Sequence, residues 1–374
     1  MTEITTSALF NYQACGISIS SEIELPELAL KDVSAPLDTI APDASDATKD
    51  SGTTDVSQAS DTSGDSYDSK GSVTSEVVKT PPLSKDSTGS SKIYTTNPDE
   101  ITVTLGDTRV EFEKPPTTVK PFSRYNAAEY NFELPDVIRL LVRNGNEIIL
   151  EILTQDLNYA LQYVYQNAIP IAMIQRGMIL FRASGIIDGS GQVWLFFAPP
   201  RSGKTATALM LMERGYRFFA DNLMALTMVD QQIMASSFSP TIHLWKQVLD
   251  EQKTFNAQDV SIIRASIPKY SVRYTDKFIA SPQKVKRLIE VEHLSSAISS
   301  NKIKPIQAFE TLRNAVYLNH LTSEMGREPQ IFSMLSKLAN QSELYRVFRP
   351  KSGDSYRELA EFIDTKLIKS GTHD

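Results

Sequence analysis

Residues 193–205 read VWLFFAPPRSGKT. Five apolar residues, Val193 to Phe197, run without a break into a short loop that closes on Gly203-Lys204-Thr205. An uninterrupted apolar run of this length, ended by prolines, predicts a strand buried on both faces. A strand that feeds a Gly-Lys-Thr loop and then a helix is the outline of a phosphate-binding loop. There, backbone N–H groups cradle phosphates, the lysine reaches the terminal phosphates, and the Thr hydroxyl meets Mg²⁺. The run 198–206 (Ala198, Pro199, Pro200, Arg201, Ser202, Gly203, Lys204, Thr205, Ala206) is therefore the predicted nucleotide-binding segment, with ATP as the expected ligand.

The loop departs from the G-x-x-x-x-G-K-[ST] pattern at its front. Ala198 stands where the first glycine belongs, and it costs about 1 kcal/mol if that position needs a positive φ. Pro199 and Pro200 bring no N–H donors. The back half, Ser202 to Thr205, is intact.

The sequence that follows fits the context. Thr205 to Arg214 predicts a helix closed by Gly215, and Tyr216 to Ala220 a strand ending at Asp221. Leu223 to Val229 and Ile233 to Ala235 predict a hairpin about Asp230-Gln231-Gln232. Asp221 thus falls at the carboxyl end of a strand, the edge of an α/β sheet where ligands gather.

The whole run APPRSGKTATALMLMERGYRFFADN (198–222) resembles the nucleotide-binding core of the HPr kinase/phosphorylase-like family. Met173 to Ile187 (MIQRGMILFRASGII) is similar to the segment that leads into its loop strand. Tyr12 to Leu28 (YQACGISISSEIELPEL), Pro240 to Trp245 (PTIHLW) and Ile267 to Val272 (IPKYSV) resemble segments of its HPr-kinase-related branch. The resemblance implies an α/β fold: a P-loop core of the HPr-kinase/PEP-carboxykinase type, a β-rich N-terminal portion and C-terminal helices. It implies Lys204 and the loop amides on the phosphates, and Thr205, Asp221 and Asn222 on Mg²⁺. Asp221 would orient or deprotonate an acceptor hydroxyl, and Arg201 and Arg182 would stabilise charge at the γ-phosphate, with Lys269 reaching in from across the cleft.

Two further positions depart from the family pattern. Asn222 replaces the second acid of a pair, and Arg182 replaces a histidine and cannot act as a base. Two function classes follow. One is an ATP-dependent kinase transferring the γ-phosphate to a hydroxyl of a protein, peptide or small molecule, with Asp221, Lys204 and Arg201 as catalytic residues. The other is a nucleotide-binding regulatory module without phosphoryl transfer. The family's ring assemblies raise a homo-oligomer as an expectation, which no residue here specifies.

Other chemistry has little support. His243, His293, His320 and His373 share no ligand spacing and read as surface or packing residues. Cys15 is the only cysteine, which excludes intrachain disulfides, and it reads as a buried apolar residue of the first strand. No G-x-S-x-G elbow or G-x-G-x-x-G fingerprint occurs.

The chain has 374 residues, 41% of them apolar, and a net charge of −7. Between Asp32 and Lys92, eleven acids face five lysines, a net −6, among many Ser and Thr and one aromatic, Tyr67. That composition predicts a disordered insert. The expected layout is a β segment over 1–31, the insert over 32–92, the β-rich portion continuing over 93–170, and the nucleotide-binding core over 171–374. Without a leader, an apolar run long enough to span a bilayer, or a basic stripe, the expectation is a cytoplasmic chain with no membrane span and no nucleic-acid partner.

Smaller signals fill in the elements. Ile101 to Phe112 predicts a hairpin about Gly106-Asp107, and Val137 to Leu153 another about Asn144-Gly145. Leu157 to Gly177 predicts a helix broken at Pro170. Val285 to Val291 and Leu344 to Phe348 predict strands; Ile306 to Leu318, Pro329 to Leu338 and Tyr356 to Leu367 predict helices.

Overall fold

The computed structural model describes residues 9–31, 99–199, 202–251, 255, 259–264, 267–274, 278–293, 297–350 and 355–369. The acidic insert lies outside them, as do Pro200, Arg201 and His373. The described residues form a mixed α/β structure with two large sheets and a small third one.

The first sheet begins with the hairpin β1 (Phe10–Ala14) and β2 (Ile17–Ser21), with the short β3 (Ala29–Leu30) on its outer edge. It continues with β4 (Glu100–Leu105), β5 (Thr118–Lys120), β6 (Ser123–Tyr125), β7 (Glu129–Leu134), β8 (Ile138–Arg143) and β9 (Glu147–Ile152). β5 to β9 are an antiparallel meander, whereas β4 lies parallel to both β2 and β9. The Asn144-Gly145 signal is realised: both residues have positive φ, 51° and 72°, as a tight turn between right-twisted strands requires.

The Gly106-Asp107 hairpin does not form. Gly106 lacks a positive φ, and its N–H donates to the Leu150 carbonyl, which carries the chain onward along β9. Thr108 is then buried, its hydroxyl on Glu151. Cys15 is buried, as read, but stands in the turn between β1 and β2 with φ 51°, outside the strand. Burial there pushes its thiol up to about 12, so it is inert.

One face of this sheet is covered by a helical layer, α1 (Leu157–Tyr163) and α2 (Ile169–Gln175). Between them, residues 164–168 make a π-helical turn, and Pro170 sits at the start of α2. The break foreseen at Pro170 is thus a widening of the helix one turn earlier, because proline has no N–H to give to that turn. Ile101, Val103, Ile138, Leu140, Ile148 and Leu150 pack against Leu161, Val164 and Ile169 in one core.

The second sheet holds β10 (Ile179–Phe181), β11 (Ser184–Ile187), β12 (Val193–Phe197), β13 (Arg217–Ala220), β14 (Met224–Val229) and β15 (Gln232–Ser237). Helix α3 (Lys204–Glu213) connects β12 to β13. The third sheet, β16 (Thr241–Trp245), β17 (Val260–Arg264) and β18 (Ile267–Arg273), packs beside it, with α4 (Lys246–Glu251) between β16 and β17. The long β19 (Gln283–His293) then returns to the second sheet, followed by β20 (Ser299–Ile303), α5 (Pro305–Arg313), α6 (Asn319–Glu324), α7 (Glu328–Gln341), β21 (Glu343–Arg349) and α8 (Ser355–Phe362). The helix foreseen over 306–318 ends at Arg313, and the chain turns at Leu318, φ 49°, before α6. The helix foreseen over 356–367 runs as α8 and then widens to a π-helical turn over 363–368.

β12, β19 and β21 run parallel at the centre of this sheet. Along β12 the side chains alternate between two cores. Val193, Leu195 and Phe197 meet α5 and α7 through Leu312, Leu335 and Leu338. Trp194 and Phe196 meet α3, α8 and the π-helical turn after it through Leu211, Leu359 and Ile363. All five residues are at most 3% exposed, which is why the run is apolar at every position.

Candidate functional site

Three parallel strands point their carboxyl ends the same way. At that edge lie Ala198, Pro199, Ser202 and Gly203 after β12, His293 at the end of β19 and Arg349 at the end of β21. The loop bends into α3 at Gly203, whose φ of 92° and ψ of 19° are left-handed. A Cβ there would sit 2.0 Å from Tyr356 Cε1 of α8, so both the dihedral and the contact demand glycine. Ala198, in contrast, has no positive φ; the penalty anticipated for a residue other than glycine does not arise. Ser202 is buried, and its N–H donates to the Pro199 carbonyl at 3.3 Å, closing the turn.

Lys204 folds back over this turn, with Nζ donating to the carbonyls of Ala198 (3.0 Å) and Pro199 (3.2 Å). Thr205, on the first turn of α3, donates its hydroxyl to Asp221 Oδ1 at 2.8 Å. Ala206 follows on the same turn, half-buried. Asp221 stands just past the end of β13 and is 8% exposed. Ser184 Oγ donates to the same Oδ1 at 2.5 Å, and the His243 backbone N–H donates to Oδ2 at 3.1 Å. The aspartate is therefore fixed by three donors from β11, α3 and β16. Asn222 takes φ 69° beside it, within a turn closed by Leu223 N–H on the Asp221 carbonyl.

Lys204, Thr205, Asp221 and Asn222 are thus brought together. The lysine does not point away from the aspartate: the Asp221 charge acts on it, as do those of Arg182 and Lys269. Burial first, and then the two neighbouring cations, push the Lys204 ammonium below its ordinary value, against the pull of Asp221. Lys269, on β18, is lowered in the same way, by burial and by Arg182. The Arg182 guanidinium lies 5.1 Å from the Tyr317 ring centroid, and its buried Nε has no hydrogen-bond partner. None of the three cations forms an ion pair among the described residues. Pro200 and Arg201 fall outside those residues.

Sequence reading gave His243 no role, yet its ring is nearly buried, with Nε2 3.0 Å from Glu27 Oε2. Burial alone would lower this imidazole; the Glu27 carboxylate outweighs burial and raises it above its ordinary 6.5. Burial likewise opposes ionisation of Glu27, but His243, Gln162 and Ser271 together hold it below 4.5. Glu27, His243 and Ser184 all lie within the stretches that carried the family resemblance, 12–28, 240–245 and 173–187. Their segments were legible; their partners were not.

Arg349 and Tyr356 were also missed. Arg349 is 3% exposed, donates to Ser355 Oγ at 2.6 Å and stacks 3.9 Å from the Tyr356 centroid. It holds the ring that lies on Gly203.

No group of three or more His, Cys, Asp and Glu side chains among the described residues could hold a metal ion. No helix among them is long and apolar enough to cross a membrane. No family model and no curated protein matches the chain. Among solved structures it is similar to the Hpr(Ser) kinase/phosphatase from Coxiella burnetii, at 10% identity over 52% of this chain and 94% of that one, with a TM-score of 0.28. A superposition that loose carries no argument about fold or chemistry.

Proposed function

We propose that this chain is a kinase that binds a nucleoside triphosphate on the 198–206 loop and transfers its γ-phosphate to an acceptor hydroxyl. The observation that carries the reading is charge. Lys204, Lys269 and Arg182 share one half-buried edge with Asp221, with Glu27 also acting on Lys269, and none of the three forms an ion pair among the described residues. Half-buried cations held only by carbonyl dipoles and ring faces keep uncompensated charge, which a polyphosphate would neutralise.

Phosphoryl transfer asks the protein for positioning and charge neutralisation more than for covalent chemistry. Lys204 would leave its two carbonyls for phosphate oxygens, which offer it an opposite charge instead of a dipole. Lys269, Arg182 and Arg201 would offset charge on the transferred group. The acceptor oxygen forms the new P–O bond as the bond to the β-phosphate oxygen breaks, and the acceptor's proton passes to Asp221. Its Oδ2 has one donor, the His243 N–H, and keeps capacity for a second.

The oxygens of Thr205, Asp221 and Asn222 are hard donors of the kind Mg²⁺ takes, with phosphate and water completing its shell. When bound, that ion neutralises phosphate charge. Thr205 is held for this by its hydrogen bond to Asp221, which leaves its oxygen lone pairs free.

A second reading has one observation in its favour. Pro199 brings no N–H to the loop front, and the Ser202 N–H is committed to the loop's own turn. A loop front this poor in donors fits a nucleotide-binding regulatory module. Isothermal titration with Mg-ATP, followed by γ-phosphate transfer in a cell extract, separates the two. Labelled product that disappears in Lys204→Ala supports the kinase; tight binding with no product leaves the module.

A further inference from the structure

A cavity of about 170 Å³ opens beside the candidate site, between α1, the third sheet and the Pro26-Glu27 segment. For scale, a cavity of about 150 Å³ accepts a benzene ring. Its walls mix two kinds of surface. Leu161, Ile262 and Ile263 are apolar; Gln162, Ser271 and Thr241 are polar side chains more than nine-tenths buried, and Asp259 and Ser261 stand nearer its mouth.

Its charges cancel. Glu27 is paired with His243, and Arg273 donates to the carbonyls of Pro26 and Leu28 at the same wall, facing a lining that otherwise holds one acid, Asp259. Asp259 makes no hydrogen bond or ion pair among the described residues. No net charge remains to select an ionic ligand, while carboxylate, amide and hydroxyl groups offer many donors and acceptors beside apolar side chains. That combination suits a neutral molecule with several hydroxyls.

One hydrogen-bonded chain links the cavity lining to the candidate site. Glu27 Oε2 meets His243 Nε2, and the backbone of that same histidine holds Asp221. We infer that the cavity is the acceptor-side pocket and that it takes a small, neutral, polyhydroxylated molecule such as a sugar or polyol. The acceptor role rests on the kinase reading; the ligand class does not.

Ligand-observed NMR of the full chain, without nucleotide, tests the class with glycerol, D-ribose, D-glucose and myo-inositol, and with ethanolamine as a cationic contrast. At least one of the four should bind saturably, and Asp259→Ala and Ser261→Trp should each weaken it about tenfold or more. Circular dichroism establishes that both variants are folded; a variant that unfolds is replaced by Asp259→Asn or Ser261→Leu. Silence from all four, binding of ethanolamine alone, or affinity indifferent to the substitutions overturns the assignment. ATP turnover in a chain that binds no polyol sinks this pocket and spares the kinase. Polyol binding in a chain without nucleotide affinity spares the ligand class and removes the acceptor role.

Discussion

The first sheet and the carboxyl edge of the second treat charge in opposite ways. On the first, charges meet partners: Arg143 with Glu129 at 3.1 Å, Arg139 with Glu133 at 2.8 Å and with Glu151 at 3.0 Å. Glu129, 2% exposed, also accepts from the Glu113 N–H and the Asn126 amide. At the edge of the second sheet, Lys204, Lys269 and Arg182 gather with no such pairing. Saturated charges staple a fold. Half-buried cations held by carbonyls and rings alone, with no opposite charge, are where an anionic ligand would be stabilised.

The sharpest way to break that contrast is Lys204→Met, which keeps the stem and removes the charge. Nucleotide affinity or turnover should fall by about two to three orders of magnitude, the scale for removing one charge-stabilising group. The melting temperature of the nucleotide-free chain should hold or rise, since a cation without an acidic partner has gone. A clear drop in melting temperature would mean that Lys204 is structural after all.

Arg143→Met on the other sheet should do the reverse. It strands the Glu129 carboxylate and should cost about 3 kcal/mol in urea unfolding, as breaking a buried pair does. Titration of the folded fraction should find nucleotide affinity unchanged.

Gly203→Ala should cost less, about 1–2 kcal/mol from the φ of 92°. It should also weaken nucleotide binding, because the ring of Tyr356 or the loop must shift. Adding Tyr356→Ala relieves the contact but not the dihedral, so affinity should return only in part. Full return would assign the whole effect to the ring.

The smallest effect belongs to the Glu27–His243 pair. His243 is raised, so its contribution is complete below about 6.5 and fades as pH climbs through the higher folded value. Glu27 is lowered, so its contribution is complete above about 4.5 and fades as pH falls through the lower folded value. The pair therefore stabilises most between those limits. His243→Gln should flatten the stability profile on the alkaline side, and because the Gln amide still donates to Glu27 the loss at neutral pH should stay at about 1 kcal/mol. An unchanged profile would show that the pair carries no stability.

The legible parts of the sequence were local ones. Val193 to Phe197 announced a doubly covered strand, because an apolar residue at every position has only one stable use in water. Asn144-Gly145 announced a turn, since those residues tolerate positive φ. Gly203-Lys204-Thr205 announced the loop, and the spacing to Asp221 placed an acid at the neighbouring strand end. Gly106-Asp107 misled for a related reason: a glycine permits a turn but does not impose one, and the hydrogen bond to Leu150 decided otherwise.

What only the tertiary structure decided is which distant groups meet. Glu27 lies 216 residues before His243, and Ser184 lies 37 before Asp221, yet each pair is in hydrogen-bond contact. Nothing in the periodicity of either segment encodes the other. Local sequence fixes backbone shape over a few residues through sterics and hydrogen bonding. The assembly of a charged site is settled by how whole sheets and helices bury their apolar faces, and by which polar groups that burial leaves side by side.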